Sequence, residues 1–268
     1  MSEKNLLQAR FATEKHPGFF PAAITFHVHC RIIGSAIALL LHGGNSIAMF
    51  FAMRGDILKD PDIANLQATQ YRYLTIWNVA FQIAYSIMNL ACDIPLFLKV
   101  KEESSPILCY LEYVRKYRKV VFGGVIFPTG VAIFTVFWPI FIYNRELIFP
   151  KFIDKAISPV SNQIMHSAIF FIVMWELLFH PRAKPSSHKL YLGHMAVIFF
   201  SYFIVLFANY AERGTWPYPL FTIVYGTIYF PLLLAALCII YVSAYFIQWP
   251  LTSLVYNNIT CKKTEKIR

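Results

Sequence analysis

The sequence predicts an all-α fold, a polytopic helical membrane protein with six transmembrane helices and both termini cytosolic. Composition and patterning carry that expectation. The 268 residues are 57% hydrophobic and 17% aromatic but only 14% charged, against about 25% charged residues in a typical soluble domain. Apolar runs of about 18 or more residues, long enough to cross a ~30 Å hydrocarbon core as a helix, tile the chain and leave only short polar gaps.

The runs place spans at 31–53, 73–97, 120–143, 162–179, 190–210 and 220–247. The last is long for one crossing and contains Pro231, which predicts a tilted or kinked helix. Residues 1–18 carry Lys4, Arg10, Glu14 and Lys15 without an apolar core. They are therefore not expected to form a cleavable signal peptide, and the first span is expected to act as the signal anchor. There is no soluble domain or internal repeat. The expected organisation is a cytosolic N-terminal segment (1–30), a six-helix transmembrane domain (31–250) and a basic cytosolic tail (251–268).

Orientation follows from the Lys and Arg residues that flank the spans. Six crossings put both termini on one side together with the second loop, which holds Arg115, Lys116, Arg118 and Lys119, and the fourth, which holds Arg182, Lys184 and Lys189. Most of the 24 basic residues fall on that side, which is therefore expected to be cytosolic. The net charge of +10 then reads as a positive-inside signature with a weak attraction to anionic lipid, and not as a nucleic-acid footprint.

The five cysteines fit this orientation. Cys30, Cys109 and Cys261 flank cytosolic ends, while Cys92 and Cys238 lie within spans. Scattered thiols without a C-x-x-C predict neither a disulfide framework nor a structural zinc site. Cys261, beside Lys262 and Lys263, is either an inert thiol or a palmitoylation site. The sequon at Asn258 is expected to stay unmodified on the cytosolic side. The first and third loops mix charges with apolar residues at helix-like spacing, which predicts segments lying along the interface. Trp138, Trp216, Trp249, Tyr71, Tyr73, Tyr143 and Tyr218 sit near span ends, as an aromatic belt would.

Ionisable residues at membrane depth are costly and mark candidate sites. Here they are His42, Asp93, His166, Glu176 and His194. His42, beside Gly43, Gly44, Asn45 and Ser46, suits polar helix packing, and Asp93 and Glu176 lie near cytosolic ends. His166 stands about one turn inside the opposite surface, with Asn162 four residues earlier on the same face. Thr75 is close to the start of the second span and His166 close to the start of the fourth. Two intervening crossings return the chain to the same side, so both side chains lie at similar depth.

Several pieces together resemble a known family, the androgen-induced gene 1 and androgen-dependent TFPI-regulating proteins. They are "RYLTIWN" at 72–78, "FPTGVAIFTVFW" at 127–138, "NRELIFPKFID" at 144–154, "NQIMH" at 162–166 with Glu176 ten residues on, and "GTWPYP" at 214–219. The resemblance implies a threonine hydrolase that cleaves fatty acid esters of hydroxy fatty acids, with Thr75 as nucleophile and His166 as its base. A threonine hydroxyl needs a base within hydrogen-bond reach, and a neutral imidazole is suited to that task. Asn162 or a group on another helix would orient the histidine. Asn78, three residues after Thr75, is the candidate oxyanion donor, and Arg72 is the candidate partner for a substrate carboxylate unless it is an interfacial arginine. Asp93 is about 27 Å along the helix from Thr75, too far to serve it.

The expected substrate is a membrane lipid, with no cofactor and no metal, in the endoplasmic reticulum or plasma membrane, and with the site near the non-cytosolic face. Readings from other classes are a haem carrier using His42, His166 and His194, a transporter lined by the scattered polar residues, a metal site at His27–Cys30, and a regulatory membrane protein without turnover.

Overall fold

The computed structural model describes the backbone of residues 21–98 and 106–265, and among them every regular element is helical. Six helices are long and apolar enough to cross a membrane. We label them α1 (Phe26–Ala52), α2 (Leu74–Phe97), α3 (Tyr113–Leu147), α4 (Pro159–Phe179), α5 (Lys189–Arg213) and α6 (Tyr229–Tyr256). The expected number of spans is therefore observed. The bounds differ from expectation at several ends; α3 begins seven residues early, at Tyr113 and not 120, and two further differences have structural consequences.

At the first, α1 begins before residue 31, so Arg31 lies inside the helix and is buried. At the second, the run expected at 220–247 is divided. Pro219–Val224 forms a short helix of its own, Gly226 adopts φ 79 and breaks the chain direction, and a new helix runs from Tyr229 to Glu265. Pro231 therefore falls in the first turn of α6, where its missing N–H would be unpaired in any case. It does not kink the span.

Local chemistry sets the other ends. Tyr73 is extended (φ −97, ψ 129) and α2 starts immediately after it. Ser158 caps α4, its hydroxyl oxygen accepting the Ser161 N–H at 3.1 Å, and Pro159 occupies the first helical position. Gly214 ends α5 at φ 68, a left-handed conformation that favours glycine.

Within α3, a π-helical turn spans Phe122–Ile126, two residues before Pro128. A proline cannot donate to the carbonyl four residues back, and its ring crowds that carbonyl; the wider turn accommodates this. Gly124 in the same turn lets α3 meet α5, because a Cβ there would lie 2.6 Å from the Tyr191 carbonyl oxygen. The α3 helix is the most enclosed of the six. It packs against α4 and α6, while α1 packs chiefly on α2.

The first and third loops do not lie separately along an interface. The turn Gly55–Lys59, the helix Pro61–Thr69 and the turn Lys151–Lys155 fold onto one another over the end of the bundle that carries Thr75. Ile63, Leu66, Phe149, Ile153 and Ile157 join Met49, Met53, Phe137 and Met165 in one apolar cluster, and Lys155 reaches Asp60 at 2.6 Å. Burying this apolar area, at about 25 cal/mol per Å², explains why the loops prefer each other to the interface.

The aromatic residues also divide. Tyr71 and Tyr143 are exposed, as a belt would be. Trp216 and Trp249 are buried, and Trp216 stacks on Tyr210 with ring centroids 4.6 Å apart. The side chains of Cys109, Asn258 and Cys261, and all of residues 1–20, lie outside the described residues.

Candidate active site

The site is built at the starts of α2 and α4. The Thr75 hydroxyl lies 3.3 Å from His166 Nε2. On the other side of the ring, Nδ1 lies 2.8 Å from the Asn162 side-chain oxygen and 3.1 Å from the Asn162 carbonyl. Both of those atoms accept, which places the ring proton on Nδ1 and leaves Nε2 with a lone pair directed at the threonine. Thr75, His166 and Asn162 are thus brought together as a hydroxyl, an imidazole and an amide oxygen in series, a geometry like that of acyl-transfer sites on unrelated folds. Asn162 sits one turn before His166, so the amide oxygen is supplied by the same helix.

Two features hold the imidazole. Its ring stacks on Phe137 of α3, with centroids 3.5 Å apart and planes at 10°. The segment Ile164–Ala168 is a π-helical turn, a form frequent at functional sites, and the Trp138 indole N–H donates to the His166 carbonyl at 3.3 Å. Phe137 carries no polar atom and escaped the sequence reading; only the fold brings it against the ring.

Thr75 and His166 open onto a cavity of about 180 Å³ with almost entirely apolar walls. The walls include Leu66 and Ile153 of the loop cap, Met53 at the end of α1, and Phe199, Leu237 and Tyr241 of α5 and α6. Tyr218 lines the wall beside Thr75, and the Tyr202 hydroxyl donates to the Tyr218 hydroxyl at 3.2 Å. Burial raises the Tyr218 phenol above its ordinary range and pushes Tyr73 up to about 12, so both stay protonated. In the first turn of α2 the Ile76 and Trp77 N–H groups donate to the Tyr73 carbonyl at 3.1 and 3.4 Å.

The remaining sequence candidates are placed elsewhere. Asn78 is fully buried, one turn further along the α2 face that carries Thr75, and is not on the cavity wall. The guanidinium of Arg72, the candidate partner for a substrate carboxylate, is engaged by protein groups. It donates to the Tyr71 hydroxyl at 2.9 Å, to Asn209 at 2.7 Å and to Glu212 at 2.5 Å. Asn209 in turn donates to the Thr215 carbonyl, and the Tyr73 hydroxyl donates to the Pro217 carbonyl at 3.2 Å. This clasp ties the "GTWPYP" loop to the start of α2 and holds Thr75 in place.

His194 bonds to the Tyr117 hydroxyl at 2.6 Å, and His27 to the Phe179 carbonyl at 3.1 Å. At the far end of the bundle, Asp93 pairs with Arg31 through two contacts of 2.9 Å and lies 3.0 Å from Arg118. Glu176 accepts from the Tyr85 hydroxyl at 2.7 Å and from Asn89 at 3.3 Å, and lies 2.7 Å from His180 Nδ1.

Fold and site together define a class: an integral membrane protein of six helices with a Thr–His–Asn set inside the bundle. Residues 39–252 match the family described as FAR-17a/AIG1-like protein, and the chain belongs to that family. It is 30% identical to the human androgen-dependent TFPI-regulating protein over 166 residues, which is 62% of this chain and 68% of that one. It is 30% identical to the mouse protein of the same name over 56% of this chain and 62% of that one. With the human androgen-induced gene 1 protein it shares 25% identity over 56% of this chain and 62% of the relative. No solved structure matches.

Proposed function

We propose that this protein is an intramembrane carboxylic-ester hydrolase that cleaves fatty acid esters of hydroxy fatty acids. The observation that carries the reading is the Thr75–His166 contact of 3.3 Å, backed by Asn162 and opening on an apolar cavity. An ester joining one acyl chain to the middle of another is mostly hydrocarbon, which suits the apolar walls of the cavity.

In this mechanism Thr75 attacks the ester carbonyl while His166 Nε2 takes its proton. The Tyr218 hydroxyl, on the cavity wall, stabilises the oxyanion. His166 then returns the proton to the leaving alkoxide, the hydroxy fatty acid departs, and water releases the fatty acid from Thr75. The Arg and Lys flanks orient both termini to the cytosol, which sets the site near the non-cytosolic face of the endoplasmic reticulum or plasma membrane.

The test is turnover of a panel of lipid esters by purified protein in proteoliposomes. Thr75→Ala and His166→Ala should each lower kcat by on the order of 10²- to 10⁴-fold without changing expression or Tm. Near-normal turnover by either variant would defeat the mechanism. The names of the relatives, which record regulation of TFPI, favour a second reading as a regulatory membrane protein. That reading gains if no ester in the panel is turned over by the unmodified protein.

A further inference from the structure

The polar residues of α2 form a pattern that the mechanism above does not use. Thr75, Asn78, Gln82, Ser86, Asn89 and Asp93 recur at intervals of three or four, which puts them on one helical face. From Asn78 onward all are buried. The facing helix α1 answers in antiparallel register: Arg31 meets Asp93, Ser35 meets Asn89 at 3.3 Å, and His42 lies against Gln82. A polar seam therefore runs through the bundle from the reactive pair to the Arg31–Asp93 ion pair.

The seam near Thr75 is not self-satisfied. Both amide atoms of Asn78 have no hydrogen-bond partner among the described residues, and the ring nitrogens of His42, which lies against Gln82, and the Gln82 side-chain oxygen find no partner of good hydrogen-bond geometry there. Buried polar groups are nearly always paired, and donors and acceptors gathered in this way suit a water molecule, which needs two to four polar partners. Asn78 and Gln82 lie one and two turns beyond Thr75 on its face.

Hydrolysis at Thr75 requires one water per turnover. With the acyl chain in the apolar cavity, that side of Thr75 is blocked by hydrocarbon, whereas the seam side is polar. We infer that His42, Asn78 and Gln82 form a water-binding site beyond Thr75 that supplies the hydrolytic water to the acyl-threonine. This rests on the ester-hydrolase reading for its purpose, but the hydration itself does not. In the step, the water oxygen bonds to the acyl carbon and the bond from that carbon to Thr75 Oγ breaks. The water proton passes to His166 Nε2 and from there to Thr75 Oγ, giving a free carboxylic acid and regenerated enzyme. Asn78, His42 and Gln82 act as positioning residues.

The experiment has two arms. In the first, radiolytic hydroxyl labelling of the full-length protein in nanodiscs reads bound water directly. His42 should be oxidised at a rate comparable with exposed residues, while the buried Phe137 stays protected; a His42 as protected as Phe137 overturns the site. In the second, His42→Leu and Gln82→Leu are assayed separately, so that a folding failure of one leaves the other. Slowed deacylation should lower kcat and KM together by at least about tenfold, leave kcat/KM unchanged, and let an acyl adduct on Thr75 accumulate in intact mass spectra. A fall in kcat alone without an adduct overturns the hydrolytic role. If the unmodified protein turns over no ester, the hydrolase reading fails, and the labelling arm still decides whether the seam is hydrated.

Discussion

At Asn162 and Arg72, position in the chain and role in the structure are related in opposite ways. Asn162 is four residues from His166, so one helical turn suffices to place its side-chain oxygen 2.8 Å from Nδ1. Asn162→Ala should lower kcat by at least about tenfold with little change in KM, measured in proteoliposomes, because the ring loses the closer of its two Nδ1 acceptors and keeps only the carbonyl at 3.1 Å. Arg72 is only three residues from Thr75, yet it points to Asn209 and Glu212 on α5. Its loss acts through the geometry of Thr75. Arg72→Ala should therefore reduce kcat/KM equally for free-acid substrates and their methyl esters. A larger effect on the free acids would restore a direct role toward the substrate carboxylate.

The two loops that form the cap meet through Asp60 and Lys155. The Asp60 carboxyl is held below its ordinary range, first by the hydrogen bond from Lys155, and Lys155 is raised in turn. A carboxyl lowered in the folded state contributes stability above its unfolded pKa and loses it as pH falls through the folded value. Protection of Pro61–Thr69 in hydrogen exchange, corrected for the intrinsic rate, should fall as the medium is acidified through that range. Lys155→Ala should show the weaker protection already at neutral pH. Lys155 is exposed and Asp60 partly so, so the effect is confined to the cap and leaves the Tm of the bundle nearly unchanged.

For the molecule as a whole, the even number of crossings ties the sidedness of the site to that of the termini. Both ends of the chain should be reached by antibodies after selective permeabilisation of the plasma membrane, and Asn258 should carry no glycan. Epitopes protected at both ends would move the proposed site to the cytosolic face without altering its geometry. At this scale most of the fold was legible from the sequence. Lipid solvates only apolar side chains, so composition and run length report crossing number directly. Boundaries were less legible, because Arg31 can sit inside a span once Asp93, 62 residues away, neutralises it.

The sequence by itself determined six helices, the side-by-side depth of Thr75 and His166, and the Asn162–His166 spacing, since each depends only on local periodicity and on counting crossings. Tertiary structure alone decided that Phe137 clamps the imidazole, that Arg72 is consumed by a clasp, that the loops close into a cap, and that the polar face of α2 meets its counterpart on α1. Those are contacts between residues far apart in the chain. They depend on helix rotation and packing, which hydrophobic periodicity constrains to a face but does not assign to a partner.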